Sequence, residues 1–254
     1  MASVALTGVT LAAAAGCGGT TPPKTPSAPD EDIPPQSPQG QLIARVAAAK
    51  DKKYTATYHL QRQGKPVSTI SVSLAKNGSW QIDVPGGAAG GTRDVSLVEN
   101  RHGVFQCVWR GRAEQGGVAN CVKVGDSGGS VPRAYDPRVQ HPFTDWLDVL
   151  GDPRAALSVA TDSSLAPPSG ECYSVESNSV SLPPSMDGGV YCFDSKGVLT
   201  GARFGVGELV IAGAAQPPPR TIRMPGLVTG GPATPTAAPP PKPPRGSASP
   251  AQPA

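Results

Sequence analysis

The chain has 254 residues, of which 31 are Gly and 30 are Pro, while only 16% are charged and 5% aromatic. Gly and Pro at that level without a repeat resemble low-complexity protein, but they are unevenly placed: seven prolines lie between Gly18 and Gly40, nine between Thr229 and Ala254, and every aromatic residue falls between those two segments. A wholly disordered chain is therefore excluded, residues 41–228 being long enough to bury a core, and a net charge of +3 with no basic block or stripe argues against a nucleic-acid partner.

From Val4 to Ala15 the chain is an apolar run broken only by Thr7, Gly8 and Thr10. It is too short to span a bilayer and has the length of a signal-peptide hydrophobic region. It ends in Ala14-Ala15-Gly16-Cys17, which resembles a bacterial lipobox, in which a cysteine preceded by small residues becomes the lipidated first residue after cleavage. The resemblance implies a signal peptide over 1–16, lipidation (palmitate-type acylation) at Cys17, and a location on the extracytoplasmic face of the cell membrane. No Lys or Arg precedes the apolar run and Ala14 stands where Leu is commoner, both departures from the pattern. Residues 17–40 then read as a Pro-rich tether and 229–254 as a disordered Pro/Ala-rich tail.

Within 41–228 the first expected element is a short Ala-rich helix, with Leu42, Ile43 and Val46 at helical spacing up to Lys50. Period-two alternation follows. Tyr54, Ala56, Tyr58 and Leu60 alternate with polar residues, Gln63-Gly64-Lys65 turns the chain, and Ile70, Val72 and Leu74 interleave with serines. Asn77-Gly78 predicts a tight turn into Trp80, Ile82 and Val84. Further strands are expected over 94–98, 104–109, 118–124, 171–176, 189–194, 198–204 and 208–212. Between them, Phe143, Trp146, Leu147 and Leu150 stand at i, i+3, i+4 and i+7, which predicts a helix over His141–Leu150 with Pro142 early and Gly151 past its end. Asp152-Pro153 reads as the start of another helical turn, though 157–160 alternates and reads equally as strand.

Four cysteines remain beyond Cys17, namely Cys107, Cys121, Cys172 and Cys192. In an exported chain an even number implies disulfides. Chain order and the strand pattern favour Cys107 with Cys121 and Cys172 with Cys192, each pair stapling neighbouring strands. Zinc is disfavoured because the close two-cysteine spacing of zinc sites is missing, and no cofactor or metal is expected.

The fold class read from this pattern is mainly β (α+β): a curved antiparallel meander or half-barrel whose apolar face is covered by short helices. The order of these elements, from lipobox and tether through a helix feeding Tyr54-Thr55-Ala56-Thr57-Tyr58, a meander, a central amphipathic helix and closing strands, resembles the LolA-like half-barrel lipoproteins, including lipid-carrying envelope lipoproteins of actinobacteria. That resemblance, one of layout without a signature motif, implies a lipid or other apolar ligand held between sheet and helices. The apolar and aromatic residues of the covered face, Tyr54, Tyr58, Trp80, Phe143, Trp146, Leu147 and Leu150, are the candidate ligand-lining set; the same large aromatics also suit a filled core.

One string bears on enzymatic chemistry: Gly125-Asp126-Ser127-Gly128-Gly129 matches the nucleophile segment of trypsin-like serine proteases. That chemistry needs a histidine base and an orienting aspartate. Neither His59 nor His102 sits in that family's context, too little folded chain precedes Ser127 to build the first barrel, and the run reads more simply as a loop. Two functions remain in view, both for a lipid-anchored, monomeric, non-enzymatic protein. One is a carrier of a lipid or other apolar ligand; the other is a structural or protein-interaction lipoprotein with a filled core.

Overall fold

The computed structural model describes residues 34, 36–109, 117–165, 167, 169–178 and 186–238. The signal-peptide segment, Cys17, nearly all of the expected tether and the tail beyond Ala238 lie outside the described residues.

The first element, helix α1 (Pro38–Asp51), begins four residues before the expected Leu42. Ser37 is its N-cap, its hydroxyl accepting from the Gly40 N–H at 3.0 Å, and Pro38 occupies the first helical position. This arrangement uses a ring that cannot donate where no donor is needed. Leu42, Val46 and Ala49 form its buried face.

The remainder is one open sheet of β1 (Thr55–Gln61), β2 (Ser68–Leu74), β3 (Trp80–Ala88), β4 (Arg93–Asn100), β5 (Gly103–Trp109), β6 (Ala119–Gly125), β7 (Leu157–Asp162), β8 (Glu171–Ser177), β9 (Gly189–Phe193), β10 (Leu199–Phe204), β11 (Gly207–Ile211) and β12 (Gly226–Val228). The spatial order is β12-β6-β5-β4-β3-β2-β1-β11-β10-β9-β8-β7. Two antiparallel meanders, β1–β6 and β7–β11, are thus joined by β1 pairing with β11. The alternating pattern set this register, because a slip of one residue would turn Tyr58, Leu60, Ile70 and Val72 out of the core. The Asn77-Gly78 turn forms as expected, with Gly78 at a φ of 86° and Ala75 N–H bonded to the Ser79 carbonyl at 2.8 Å. β3 runs past Val84 through Pro85, where the register with β4 shifts; a proline is tolerated at such an irregularity.

In the second half of the chain one expectation is corrected and one open alternative is decided. The single helix expected over 141–150 is a 3-10 turn at His141–Phe143 followed by a five-residue helix α2 (Trp146–Leu150). The break falls at Thr144, whose backbone leaves the helical region (φ −129°, ψ −112°) and whose hydroxyl donates to the Gln140 carbonyl at 3.0 Å. The ambiguous 157–160 segment is strand: Asp152 forms an Asx turn through Arg154 N–H at 2.9 Å, and β7 then begins.

The face of the sheet bearing Tyr58, Ile82, Leu209 and Tyr191 packs against α1, the 141–143 turn and α2 in the main core, and a smaller cluster of Ala88, Val95, Leu97, Val104 and Val131 adjoins it at Trp80. Trp146 is fully buried, edge-on to Phe204 at 5.3 Å and stacked on His141 at 5.0 Å. Ion pairs Arg45–Glu171 at 2.9 Å and Lys50–Asp148 at 2.8 Å tie α1 to β8 and α2. The opposite face carries both disulfides, Cys107–Cys121 and Cys172–Cys192, each joining directly opposed residues of neighbouring strands as the sequence predicts.

After β11 the chain leaves the expected plan. Gln216 bridges to Thr55, Lys76 and Asn77 donate to the Pro219 and Arg220 carbonyls, and Ile222 and Met224 pack on Phe105 and the Cys107–Cys121 pair. This extended belt carries the chain to the far edge, where β12 adds to β6 in parallel, making the sheet mixed where a purely antiparallel meander was expected. The domain also does not end at Val228. Residues 229–238 continue onto the core-side face, where Thr234 pairs with the side chain of Gln106 and Thr236 N–H reaches the Ala134 carbonyl at 2.8 Å. None of these ten residues is buried. Seven hydrogen bonds hold them, counting Thr229 N–H to the Cys121 carbonyl, the Ala89 and Gly90 N–H groups to the Pro235 and Thr236 carbonyls, and the Thr236 hydroxyl to the Ala134 carbonyl. With none of these residues buried, hydrogen bonds worth about 1 kcal/mol each are what holds the segment.

Each disulfide closes a short loop, with sequence separations of 14 and 20. A Cys107→Ser/Cys121→Ser variant is expected to lose about 3 kcal/mol of stability, read as a lowered midpoint in denaturant. Mass mapping of the unreduced protein is expected to link 107 to 121 and 172 to 192.

Candidate functional site

The candidate ligand-lining residues divide between the interior and one groove. In the interior, Tyr58 is edge-on to Phe143 at 5.1 Å and its hydroxyl donates to the Leu199 carbonyl at 2.8 Å, while Tyr54 sits 3.1 Å from the Tyr58 oxygen. Burial holds both phenols neutral, pushing Tyr54 up to about 12 and Tyr58 well above its ordinary value. Tyr58, Trp146 and Leu150 are fully enclosed in side-chain packing. The space left between Tyr54, Phe143, Leu147, Phe193 and Leu199 is about 10 Å³, no more than one water-sized sphere and too small for an acyl chain.

The groove lies where α1 ends, beside the β2–β3 hairpin, and measures about 680 Å³. Leu74, Trp80, Phe143 and Leu147 give it an apolar wall, and Lys50, Lys53, Glu99 and Asp148 stand in its polar lining. Trp80 reaches it because the Asn77-Gly78 turn starts β3 with its side chain on the core face. Directly across the β3–β4 ladder is Glu99. The indole N–H of Trp80 donates to Glu99 Oε2 at 2.6 Å, and Glu99 Oε1 accepts from Gly128 N–H at 2.6 Å and from the Ser127 hydroxyl at 3.3 Å. The Gly125–Gly129 string is therefore a loop fastened over Glu99, closed by Gly129 N–H to the Asp126 carbonyl at 2.9 Å. Ser127 has a carboxylate for a neighbour where nucleophile chemistry requires an imidazole; His59 lies exposed on β1, and His102, in the β4–β5 turn, accepts from Arg101 Nε at 3.0 Å.

One wall of the groove is built by a charged cluster that the sequence reading did not identify. His141 Nε2 is 2.9 Å from Asp136 Oδ2, and its Nδ1 is 2.7 Å from Asp145 Oδ1. Gln140 Nε2 donates to Asp136 at 2.7 Å and the Thr144 hydroxyl to Asp145 at 2.9 Å. With a carboxylate at each ring nitrogen, the imidazole carries both protons. Burial alone would depress it, but the hydrogen bonds and charges of Asp136 and Asp145 together raise His141 to about 9. Asp136 is likewise penalised by burial, yet the His141 and Gln140 hydrogen bonds with the imidazolium charge hold it below the ordinary range. The visible signal for this cluster was the placement of Asp136 and Asp145 either side of His141 in a segment otherwise read only for its apolar periodicity.

A second, larger hollow of about 870 Å³ opens beside the 85–92 turn and is lined by Arg62, Lys65, Asp83, Asp94 and Asp136 with mixed charge. Among the described residues no group of three or more His, Cys, Asp or Glu side chains has the arrangement of a metal site.

The His141 cluster fixes a pH window. Its folded value lies above the unfolded one of about 6.5, so its contribution is complete below pH 6.5 and is lost as pH rises through about 9. Asp136, lowered in the fold, contributes above its ordinary value and loses that contribution as pH falls through its folded one. Denaturant unfolding of the domain is expected to show stability falling by about 3 kcal/mol between pH 6 and pH 9. The corresponding change in His141→Gln should be nearly flat.

Compared with protein-family models and with curated proteins, the chain matches none.

Proposed function

We propose that this protein is a lipid-anchored, non-enzymatic lipoprotein of the extracytoplasmic face of a bacterial membrane, LolA-like in layout, whose folded domain acts through its surface as a structural or protein-interaction module. The carrying observation is the filled interior. The space where a LolA-like carrier would hold its ligand is packed with Tyr58, Phe143, Trp146 and Leu150, and the void beside Tyr54, Phe143 and Leu147 measures about 10 Å³. The anchor rests on the lipobox resemblance at Cys17 and on the Pro-rich segment after it, which suits a tether lifting a domain off the bilayer. Among the described residues no helix is long and apolar enough to cross a membrane. The non-enzymatic reading draws support from the Glu99 contact of Ser127.

A second reading has a specific observation in its favour. The 680 Å³ groove joins the apolar surfaces of Trp80, Phe143 and Leu147 to the ammonium group of Lys53 and the Lys50–Asp148 ion pair, a combination suited to an amphiphile with a polar head. In that case the lipid would lie at the mouth of the sheet–helix sandwich and not inside it.

Metabolic labelling with a fatty-acid analogue is expected to modify the wild-type chain and not Cys17→Ser; labelling of both, or of neither, overturns the lipoprotein reading. Native mass spectrometry of the detergent-extracted protein then separates the two roles. A single mass with no non-covalent adduct supports the surface module, and a co-purified lipid lost in Trp80→Ala supports the groove.

A further inference from the structure

Gln106 occupies a core-side position of β5 flanked by Val104 and Val108, and only 1% of its surface is exposed. A buried primary amide needs both its donor and its acceptor met. Here they are met almost wholly by one residue of an extended segment: Gln106 Nε2 donates to the Thr234 carbonyl at 2.8 Å, and Thr234 N–H donates to Gln106 Oε1 at 2.7 Å. The side chain imitates a neighbouring strand, reading the backbone of Thr234 and not its side chain.

The rest of the cleft reads backbone as well. On one side the turn at Ala89–Gly90 offers two N–H groups to the Pro235 and Thr236 carbonyls at 2.8 and 2.9 Å. On the other, the Ala134 carbonyl accepts Thr236 N–H at 2.8 Å and the Thr236 hydroxyl at 3.3 Å. Gly90, at a φ of 67°, lets the segment close in, since a Cβ there would lie 2.6 Å from the Cβ of Ala238. The occupant, Pro232-Ala233-Thr234-Pro235-Thr236, is kept extended by its prolines. It buries none of its side chains and follows Gly230-Gly231, two residues that leave it free to swing.

We propose that the cleft formed by Gln106, the Ala89–Gly90 turn and the Ala134 carbonyl is a docking site for an extended, proline-containing peptide, occupied in cis by residues 233–236 of the chain itself. A site that recognises backbone through a fixed amide and adjacent N–H groups accepts such a peptide from another chain on the same terms, by addition of an extended segment to the fold. The cis segment then competes with any external one. An attachment made mainly through its backbone, with no residue of the segment buried, makes it displaceable without disturbing the core beneath.

The test uses the full chain and a fluorescent synthetic peptide of residues 231–238. Thr234→Pro/Thr236→Pro removes the two N–H donors of the cis segment and leaves the sheet untouched. This variant is expected to bind the peptide at least ten-fold more tightly than the wild type, and adding Gln106→Leu is expected to abolish the gain. Equal binding by variant and wild type, or none by either, with an unchanged near-ultraviolet circular dichroism spectrum overturns the proposal. Should the variant not fold, amide hydrogen exchange of the wild type decides. Exchange of Ala89, Gly90, Thr234 and Thr236 as one group, at least ten-fold faster than β4 and β5, supports a displaceable occupant, and exchange as slow as those strands refutes it.

Discussion

The fold depends on the contact between the two ends of the chain's β-structure at Tyr58. This residue stands in the strand that pairs with β2 on one side and with β11 on the other, opposite Ile70 and Ile211. Its hydroxyl reaches the Leu199 carbonyl across 141 positions of sequence. Each meander alone is a set of local hairpins with one apolar face and no cover. Only when β1 and β11 pair do they make one surface wide enough to receive α1, the 141–143 turn and α2 together. Pairings so distant in sequence cost loop-closure entropy before they return any contact, and the buried aromatic group around Tyr58, Phe143 and Trp146 is what repays it.

The same packing fills the interior. Aromatic side chains bury large areas and fix their neighbours in specific geometry, so an interior filled by Trp146, Phe204, Tyr191 and Phe143 has little freedom to open for a guest. The surface, by contrast, keeps two shaped hollows: the groove at Trp80 and the cleft at Gln106, which residues 233–236 occupy. The charged cluster of Asp136, His141 and Asp145 holds one wall of that groove in position. An imidazolium between two carboxylates, partly desolvated, is far more directional than an exposed ion pair.

Much of the architecture was legible in the sequence because it is written with period two. Tyr54 to Leu60, Ile70 to Leu74 and Trp80 to Val84 alternate without exception, and each lies in or beside a strand with its apolar set in the core. The disulfide pairing was legible for the same reason, since each pair of cysteines sits in neighbouring hairpin strands. The helix over 141–150 was half legible. Its apolar spacing was real, but periodicity does not register that the backbone leaves the helical region at Thr144, nor that His141 is claimed by two carboxylates. The belt and the segment beyond Val228 were not legible at all. Their side chains carry no pattern, because proline-rich extended chain is held through its backbone, and the partner residue Gln106 reads locally as a polar interruption in a strand. Of the candidate ligand-lining set, the apolar character of Tyr58, Trp146 and Leu150 was read correctly, while whether they faced a hollow or one another depended on contacts between elements far apart in the chain.

The three residues of β12 have a consequence for how this domain behaves in company. Without them β6 would end the sheet with a seven-residue row of unpaired backbone groups, a template on which another chain could extend. β12 covers that row at Ala119–Cys121 and then stops, with Pro225 just before it and Pro232 shortly after. A new edge this short, bracketed by residues that cannot donate, offers a poor foothold for a further strand even though Leu227 and Val228 are exposed. The C-terminal excursion thereby guards this edge of the sheet against pairing with the edge of another copy.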